Sequence, residues 1–271
     1  MITNIRVEKD QTFKLSEGKN LLADVYLPVT ESPRAFPALI LIHGGAWQAG
    51  SKEMYQDWGP YLAENGLAAM SIDYRLSSKN NPTWPGVMED VRDAYKWLVA
   101  NSEHYHIDTS RIGAMGDSCG AQLALLLALD QPGIKSVVSV YGVYDVTAWW
   151  KYTQVTRDDD PVGNLFGKTP SQAPELYKEA SPTEHISRFI ELNDFNCLML
   201  WGEQDTIVPA KQSRDFFAQL AETPVNVEKL VIPDKGHFWF TIFPGIPGGT
   251  LKDEPNRNVA PQVLEFIRKT L

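Results

Sequence analysis

Residues 111–129 read RIGAMGDSCGAQLALLLAL. Five residues, GDSCG at 116–120, join a short apolar run to a longer one. "RIGAM" reads as a strand buried on both faces of a parallel sheet. "AQLALLLAL" reads as a buried helix. A sharp turn from strand to helix crowds the backbone, so the positions two before and two after its apex favour the smallest residue. Gly116 and Gly120 hold those positions around Ser118. A serine at such an apex is well exposed for nucleophilic attack. The helix after it aims N–H groups and its dipole at any negative charge that develops there. Ser118 is therefore the candidate nucleophile. Cys119 lies one residue past the apex. Its side chain is expected to turn into packing as a small buried hydrophobe, leaving its backbone N–H as the useful group.

The rhythm on either side agrees with this reading. "NIRVEK" and "NLLADVYLP" read as half-buried antiparallel strands near the N-terminus. From residue 38 the strand candidates become continuous apolar runs: "ALILIHGG", "LAAMSIDY", "RIGAMG", "SVVSVYG", "CLMLWG" and "EKLVIP". Helical patterns lie between them, including "MEDVRDAYKWLVANSE" and "AKQSRDFFAQLAE", and "APQVLEFIRKTL" closes the chain as an amphipathic helix. Strands alternating with helices predict an α/β fold with a mainly parallel sheet. Two intervals break the alternation. Residues 145–192 are far longer than a crossover needs and read as a small cap-like insertion over the C-terminal edge of the sheet. Residues 242–258, rich in Pro and Gly, read as a long loop. No internal repeat or low-complexity tract divides the chain, so residues 1–271 are expected to form one domain.

Composition narrows the function class. Twenty-five basic residues against 34 acidic give a net charge of −9, and no basic cluster offsets it. This argues against nucleic acid or an anionic membrane as partner. The 2 cysteines, Cys119 and Cys197, form no disulfide framework. The first 20 residues carry no apolar core of a secretory signal, and no apolar run is long enough to span a bilayer. The expectation is a cytoplasmic protein whose oligomeric state is open.

A nucleophilic serine needs a base and an acid to orient it. Of 5 histidines, His104 and His106 fall on the way into a strand, His185 falls in the insertion and His43 in a glycine loop. His237, in "PDKGHFWF", follows a late strand at the C-terminal edge, where α/β sites assemble. It is the candidate base. The acid should end a strand between serine and histidine. "CLMLWGEQDTIVP" supplies Asp205, with Glu203 as runner-up. The "DDD" at 158–160 reads as a solvated loop face. "HGGAW" at 43–47 also follows a strand end, and its glycines let backbone N–H groups turn toward one point. His43 is expected to hold that loop.

With these residues in place, the chain resembles a serine esterase of the α/β-hydrolase fold. It is similar to the hormone-sensitive-lipase-like carboxylesterases and to bacterial feruloyl or acetylxylan esterase-like proteins of BD-FAE type. The matching stretches include "ADVYLP", "LIHGGAWQAGSK", "SIDYRLS", "GDSCGAQLA", "ASPTEHI", "WGEQDTIVPAKQS" and "GH", in that order along nearly the whole chain. The resemblance implies Ser118, Asp205 and His237 as a triad. It implies an oxyanion hole of the N–H groups of Gly45, Ala46 and Cys119, with Gly44 supporting the turn. It also implies an eight-stranded, mainly parallel sheet with helices on both faces. The chain departs from the pattern in carrying Cys119 where Ala is usual and Ala46 where Gly is common. Lipase-like members also carry an N-terminal helical cap, whereas residues 1–37 here read mostly as strands.

The expected activity is hydrolysis of short-chain acyl, aryl or sugar esters through an acyl-enzyme, with no metal or organic cofactor. The same triad would serve an amide hydrolase such as an aryl formamidase or a peptidase. A binding protein on a decayed hydrolase fold would be expected to lack a triad member. Aromatic residues are dense in segments expected to border the site. Trp47, Tyr144, Trp149 and Phe238 are the candidate substrate contacts, and Trp84, Tyr141, Trp150 and Trp239 belong to the same segments.

Overall fold

The computed structural model describes residues 2–31 and 35–271. The expected strand reading of residues 1–37 therefore falls partly outside the described residues. Among the described residues, eight strands form one sheet: β1 (Ile2–Ser16), β2 (Lys19–Thr30), β3 (Phe36–Ile42), β4 (Ala68–Ile72), β5 (Ile107–Asp117), β6 (Ile134–Val140), β7 (Asn196–Gly202) and β8 (Asn226–Ile232). Their order is β1-β2-β4-β3-β5-β6-β7-β8. The pairings of β2 with β1 and with β4 are antiparallel, and the rest are parallel. Strands β3 to β6 are buried along most of their length, which is why they read as unbroken apolar runs.

The helices are α1 (Trp58–Glu64), α2 (Gly86–Ala100), α3 (Ser102–Tyr105), α4 (Cys119–Asp130), α5 (Val146–Thr156), α6 (Pro161–Phe166), α7 (Pro174–Glu179), α8 (Ile186–Glu191), α9 (Ala210–Ala221) and α10 (Asn256–Thr270). Helix α4 packs on β3, β5 and β6. Every residue from Cys119 to Leu129 in it is buried, so its sequence is apolar all round. The connection from β3 leads to β4 on one side of β3, and the connection from β5 leads to β6 on the other. The sheet thus reverses its winding between β3 and β5. The crevice beyond their C-terminal ends is where an open α/β sheet binds a ligand. GDSCG and HGGAW lie at those two ends.

Residues 145–192 hold α5 to α8 and one short turn of 3-10 helix, Pro182–His185, between α7 and α8. Asp145 caps α5 by accepting from Ala148 N at 2.8 Å. Buried Gln122 of α4 anchors the insertion, its amide donating to Ala180 O at 2.7 Å. The long loop is shorter than the sequence suggested, because α10 begins at Asn256 rather than after residue 258. The reason lies in a buried side chain: Asn256 Nδ2 donates to the carbonyls of Trp239 and Phe240 at 2.7 and 3.1 Å and pins the start of the helix.

Candidate active site

Ser118 has φ 55° and ψ −123°, a left-handed region that costs a non-glycine residue about 1–3 kcal/mol. The surroundings leave no other path. A Cβ at Gly116 would lie 2.2 Å from Gly120 O, and one at Gly120 would lie 2.1 Å from Ile42 O. Both contacts are with backbone, which cannot step aside. The two glycines let the elbow fold back on itself and lie against the end of β3. Ser118 N donates to Val140 O at 2.9 Å, tying the elbow to β6.

Asp205 follows β7 in a tight turn. Its Oδ1 accepts from Ile207 N at 2.9 Å and Val208 N at 3.0 Å, which aims Oδ2 at His237. His237 Nδ1 stands 2.6 Å from that oxygen. The carboxylate accepts, so the ring carries its proton on Nδ1 and leaves Nε2 with a lone pair. Both side chains are almost sealed from solvent. The ring of Tyr141 lies 4.3 Å from the imidazole, centre to centre, and supports it. Glu203 is turned elsewhere: Trp201 Nε1 donates to it at 2.9 Å, and Arg214 pairs with its other oxygen at 2.5 Å.

The loop after β3 runs through positive φ at Gly45 (114°), Ala46 (54°) and Trp47 (58°). Gly45 is required there, because a Cβ would meet Ala49 O at 2.1 Å. His43 is buried against Tyr74, the rings stacked at 4.2 Å, and its Nδ1 lies 2.7 Å from Gly44 O. Burial drives its pKa down to about 4, so it is a neutral prop for the loop. Cys119 does more than fill space. Its Sγ accepts from Trp47 N at 3.2 Å and lies 3.6 Å from the Tyr74 hydroxyl. Burial pushes the thiol up to about 12, which makes it a poor nucleophile. Its N–H opens the first turn of α4, where N–H groups lack an intrahelical partner.

Ser118, His237, Gly45 and Ala46 all line one cavity of about 340 Å³. Trp149, Ile207, Phe238 and Phe243 add apolar lining, and Gln48, Arg157 and Asp159 add polar lining. Trp149 and Phe238, two of the four candidate contacts, line this cavity. Trp47 and Tyr144 do not. Trp47 is fully buried behind the loop, its Nε1 donating to Gln122 at 3.1 Å. Tyr144 is fully buried and stacked on Phe216 at 4.7 Å, its hydroxyl 2.8 Å from Ser139 Oγ. Both are core residues that follow a strand end in sequence but point into the fold. The "DDD" tract is also more than a solvated face. Asp159 pairs with Arg157 at 2.7 Å and accepts from Gln48 at 3.3 Å on the cavity rim, while Asp160 caps α6 through Gly163 N at 2.9 Å. Gln48, Arg157, Ile207 and Phe243 carried no signal of their own, since only the folded loops bring them to the serine. His104, His106 and His185 do not line this cavity.

The BD-FAE family model matches residues 23–220. Esterase LipC of Mycobacterium tuberculosis is 29% identical over 237 residues, covering 80% of this chain and 56% of that protein. Esterase LipQ of the same organism is 31% identical over 238 residues, covering 81% and 54%. The chain spans about half the length of these curated relatives. Among solved structures, a fungal esterase from Rhizomucor miehei superposes with a TM-score of 0.78 at 20% identity, over 100% of this chain and 85% of that one. That likeness identifies the fold as the α/β-hydrolase fold. No helix among the described residues is long and apolar enough to cross a membrane.

Proposed function

The chain belongs to the BD-FAE family, and on that premise we propose that it is a serine carboxylesterase that cleaves small carboxylic esters through an acyl-enzyme. One observation carries the reading. The Asp205–His237 pair and the strained Ser118 converge on a single cavity beside a loop of positive-φ residues. In the mechanism, Ser118 Oγ attacks the ester carbonyl while His237 Nε2 takes the hydroxyl proton. Asp205 keeps the ring in the tautomer that can accept and stabilises the imidazolium that forms. The N–H groups of Gly45, Ala46 and Cys119 receive the tetrahedral oxyanion. Collapse of the intermediate expels the alcohol, which takes the proton from His237. Water then attacks the acyl-enzyme, again with His237 as base, and the carboxylic acid leaves. No metal or organic cofactor enters these steps.

The cavity supports a small acyl group. Trp149, Phe238 and Phe243 give the cavity rigid rings that take up room an acyl chain would need, and each misplaced methylene is worth roughly 1–3 kcal/mol. Across p-nitrophenyl esters, kcat/KM is expected to peak at two to four acyl carbons and fall by about tenfold or more at eight. A maximum at ten or more carbons would refute this and indicate a lipase. The polar lining of Gln48, Arg157 and Asp159 suits an alcohol side with hydroxyl groups, as in a sugar ester. A fluorophosphonate probe tests the chemistry itself. It should label Ser118 alone, as read by peptide mass, and unlabelled protein with intact fold would overturn the reading.

Cys119→Ala is expected to keep turnover within a few-fold, because the N–H at that position survives. It removes the acceptor of the Trp47 N–H, so stability should drop by about 1–3 kcal/mol. Thermal melting and the ester assay together check this. A variant as inactive as Ser118→Ala would give the thiol a chemical role.

A further inference from the structure

We infer that Asp117, the residue before the nucleophile, is a positioning residue that locks the oxyanion loop, the nucleophile elbow and the segment after the catalytic histidine into one arrangement. The inference rests on the esterase reading above. Asp117 is 3% exposed, and its carboxylate is ringed by neutral donors. Gly44 N of the oxyanion loop donates to Oδ1 at 3.1 Å. The hydroxyl of Tyr55 donates to the same oxygen at 3.0 Å. The hydroxyl of Thr241, four residues past His237, donates to Oδ2 at 3.2 Å. The loop lies flush on the carboxylate: a Cβ at Gly44 would come within 2.5 Å of Oδ2. Gly44 is thus small because Asp117 is there. Phe240 N, next to Thr241, donates at 3.3 Å to Tyr141, whose ring supports His237. One side chain therefore joins three of the four segments that carry catalytic groups, all but the turn of Asp205. A shift of about 1 Å in such a segment can cost about a hundredfold in rate.

Buried without a formal counter-charge among these donors, Asp117 is pushed up to about 6 by desolvation. The titratable groups facing it are Tyr55, Tyr74, Tyr141, the Cys119 thiol and His237. Burial raises the tyrosines and the thiol, so they stay neutral in the working range. Only His237 gains charge during the reaction, and an ionised Asp117 favours that charge. The sign of the stability effect follows. The folded carboxyl holds its proton more tightly than the unfolded one. Folding therefore gains as pH falls from about 6 toward the ordinary carboxylate range, and that gain is lost as pH rises through about 6.

The test compares full-length wild type with Asp117→Ala and Asp117→Asn on p-nitrophenyl acetate. Asp117→Ala should lower kcat about a hundredfold with KM little changed. Asp117→Asn keeps the hydrogen-bonding shape and loses the charge. It should recover kcat to within about tenfold of wild type, and its acid limb should follow one proton where wild type follows two. At pH 8 it should melt at or above the wild-type temperature, with the difference shrinking toward pH 4. A kcat above about a third of wild type in Asp117→Ala overturns the inference, as does a folded Asn variant no better than Ala. If Asp117→Ala does not fold, Thr241→Val removes a single strut and should lower kcat several-fold with KM unchanged; an unchanged kcat overturns the inference. A wild-type protein without esterase activity, or an active Ser118→Ala, would instead mean that the esterase reading is wrong.

Discussion

Ser118→Ala is expected to abolish ester turnover, by about six decades in kcat if the triad acts as a unit in the way other such triads do. The size of the loss follows from the covalent route. Without Oγ no acyl-enzyme forms, and His237 and the oxyanion loop are left to help water attack directly. That residual help is worth only about three to four decades over the uncatalysed rate. Stability should move the other way or not at all. Ser118 sits at φ 55° only because Gly116 and Gly120 let the chain close around it. Alanine keeps the same Cβ and the same strain, so the melting temperature should be close to that of wild type. Retention of more than about one percent of wild-type activity, in protein free of contaminating esterase, would remove Ser118 from the mechanism.

Asp205→Asn is expected to lower kcat by about four decades while leaving the fold intact. The carboxylate now accepts from Ile207 N, Val208 N and His237 Nδ1. If the amide oxygen keeps the two backbone donors, its NH₂ group faces the imidazole. The ring must then accept at Nδ1 and carry its proton on Nε2, where it blocks proton transfer from Ser118. Glu203→Gln is the matched control. Glu203 is held by Trp201 and Arg214 and should change kcat no more than a few-fold. If the Glu203 variant costs more than the Asp205 variant, the assignment of the acid is wrong. Fluorophosphonate labelling should slow in Asp205→Asn, because the probe also needs an activated serine.

Much of the architecture was legible because it is governed by local rules. Buried parallel strands show as unbroken apolar runs, and α4 shows as a helix apolar on every face because every face is covered. The end of the long loop was not legible. Asn256 starts α10 by bonding carbonyls 16 and 17 residues away in the chain, and no local pattern encodes that. The aromatic residues near the site were only half legible. Trp149, inside α5, and Phe238 line the cavity, whereas Trp47 and Tyr144, close behind the ends of β3 and β6, turn into the core.

By itself the sequence determined the elbow, the strand–helix alternation and the candidate catalytic residues. Each depends on short-range sterics or on residue chemistry at a strand end: two glycines around a serine, a glycine-rich loop, an acid and a histidine after late strands. Only the tertiary structure set Asp205 rather than Glu203 beside His237, drew Gln48, Arg157, Asp159 and Phe243 into the cavity that Ser118 lines, and gave Asp117 its three partners. Those partners lie 62 to 124 positions from Asp117 in the chain. Their meeting is set by the order of the strands, which reverses between β3 and β5 and brings the ends of distant segments to one crevice. A carboxylate next to a nucleophile is polar in any sequence. It becomes a buried strut only when the sheet closes over it and supplies the donors.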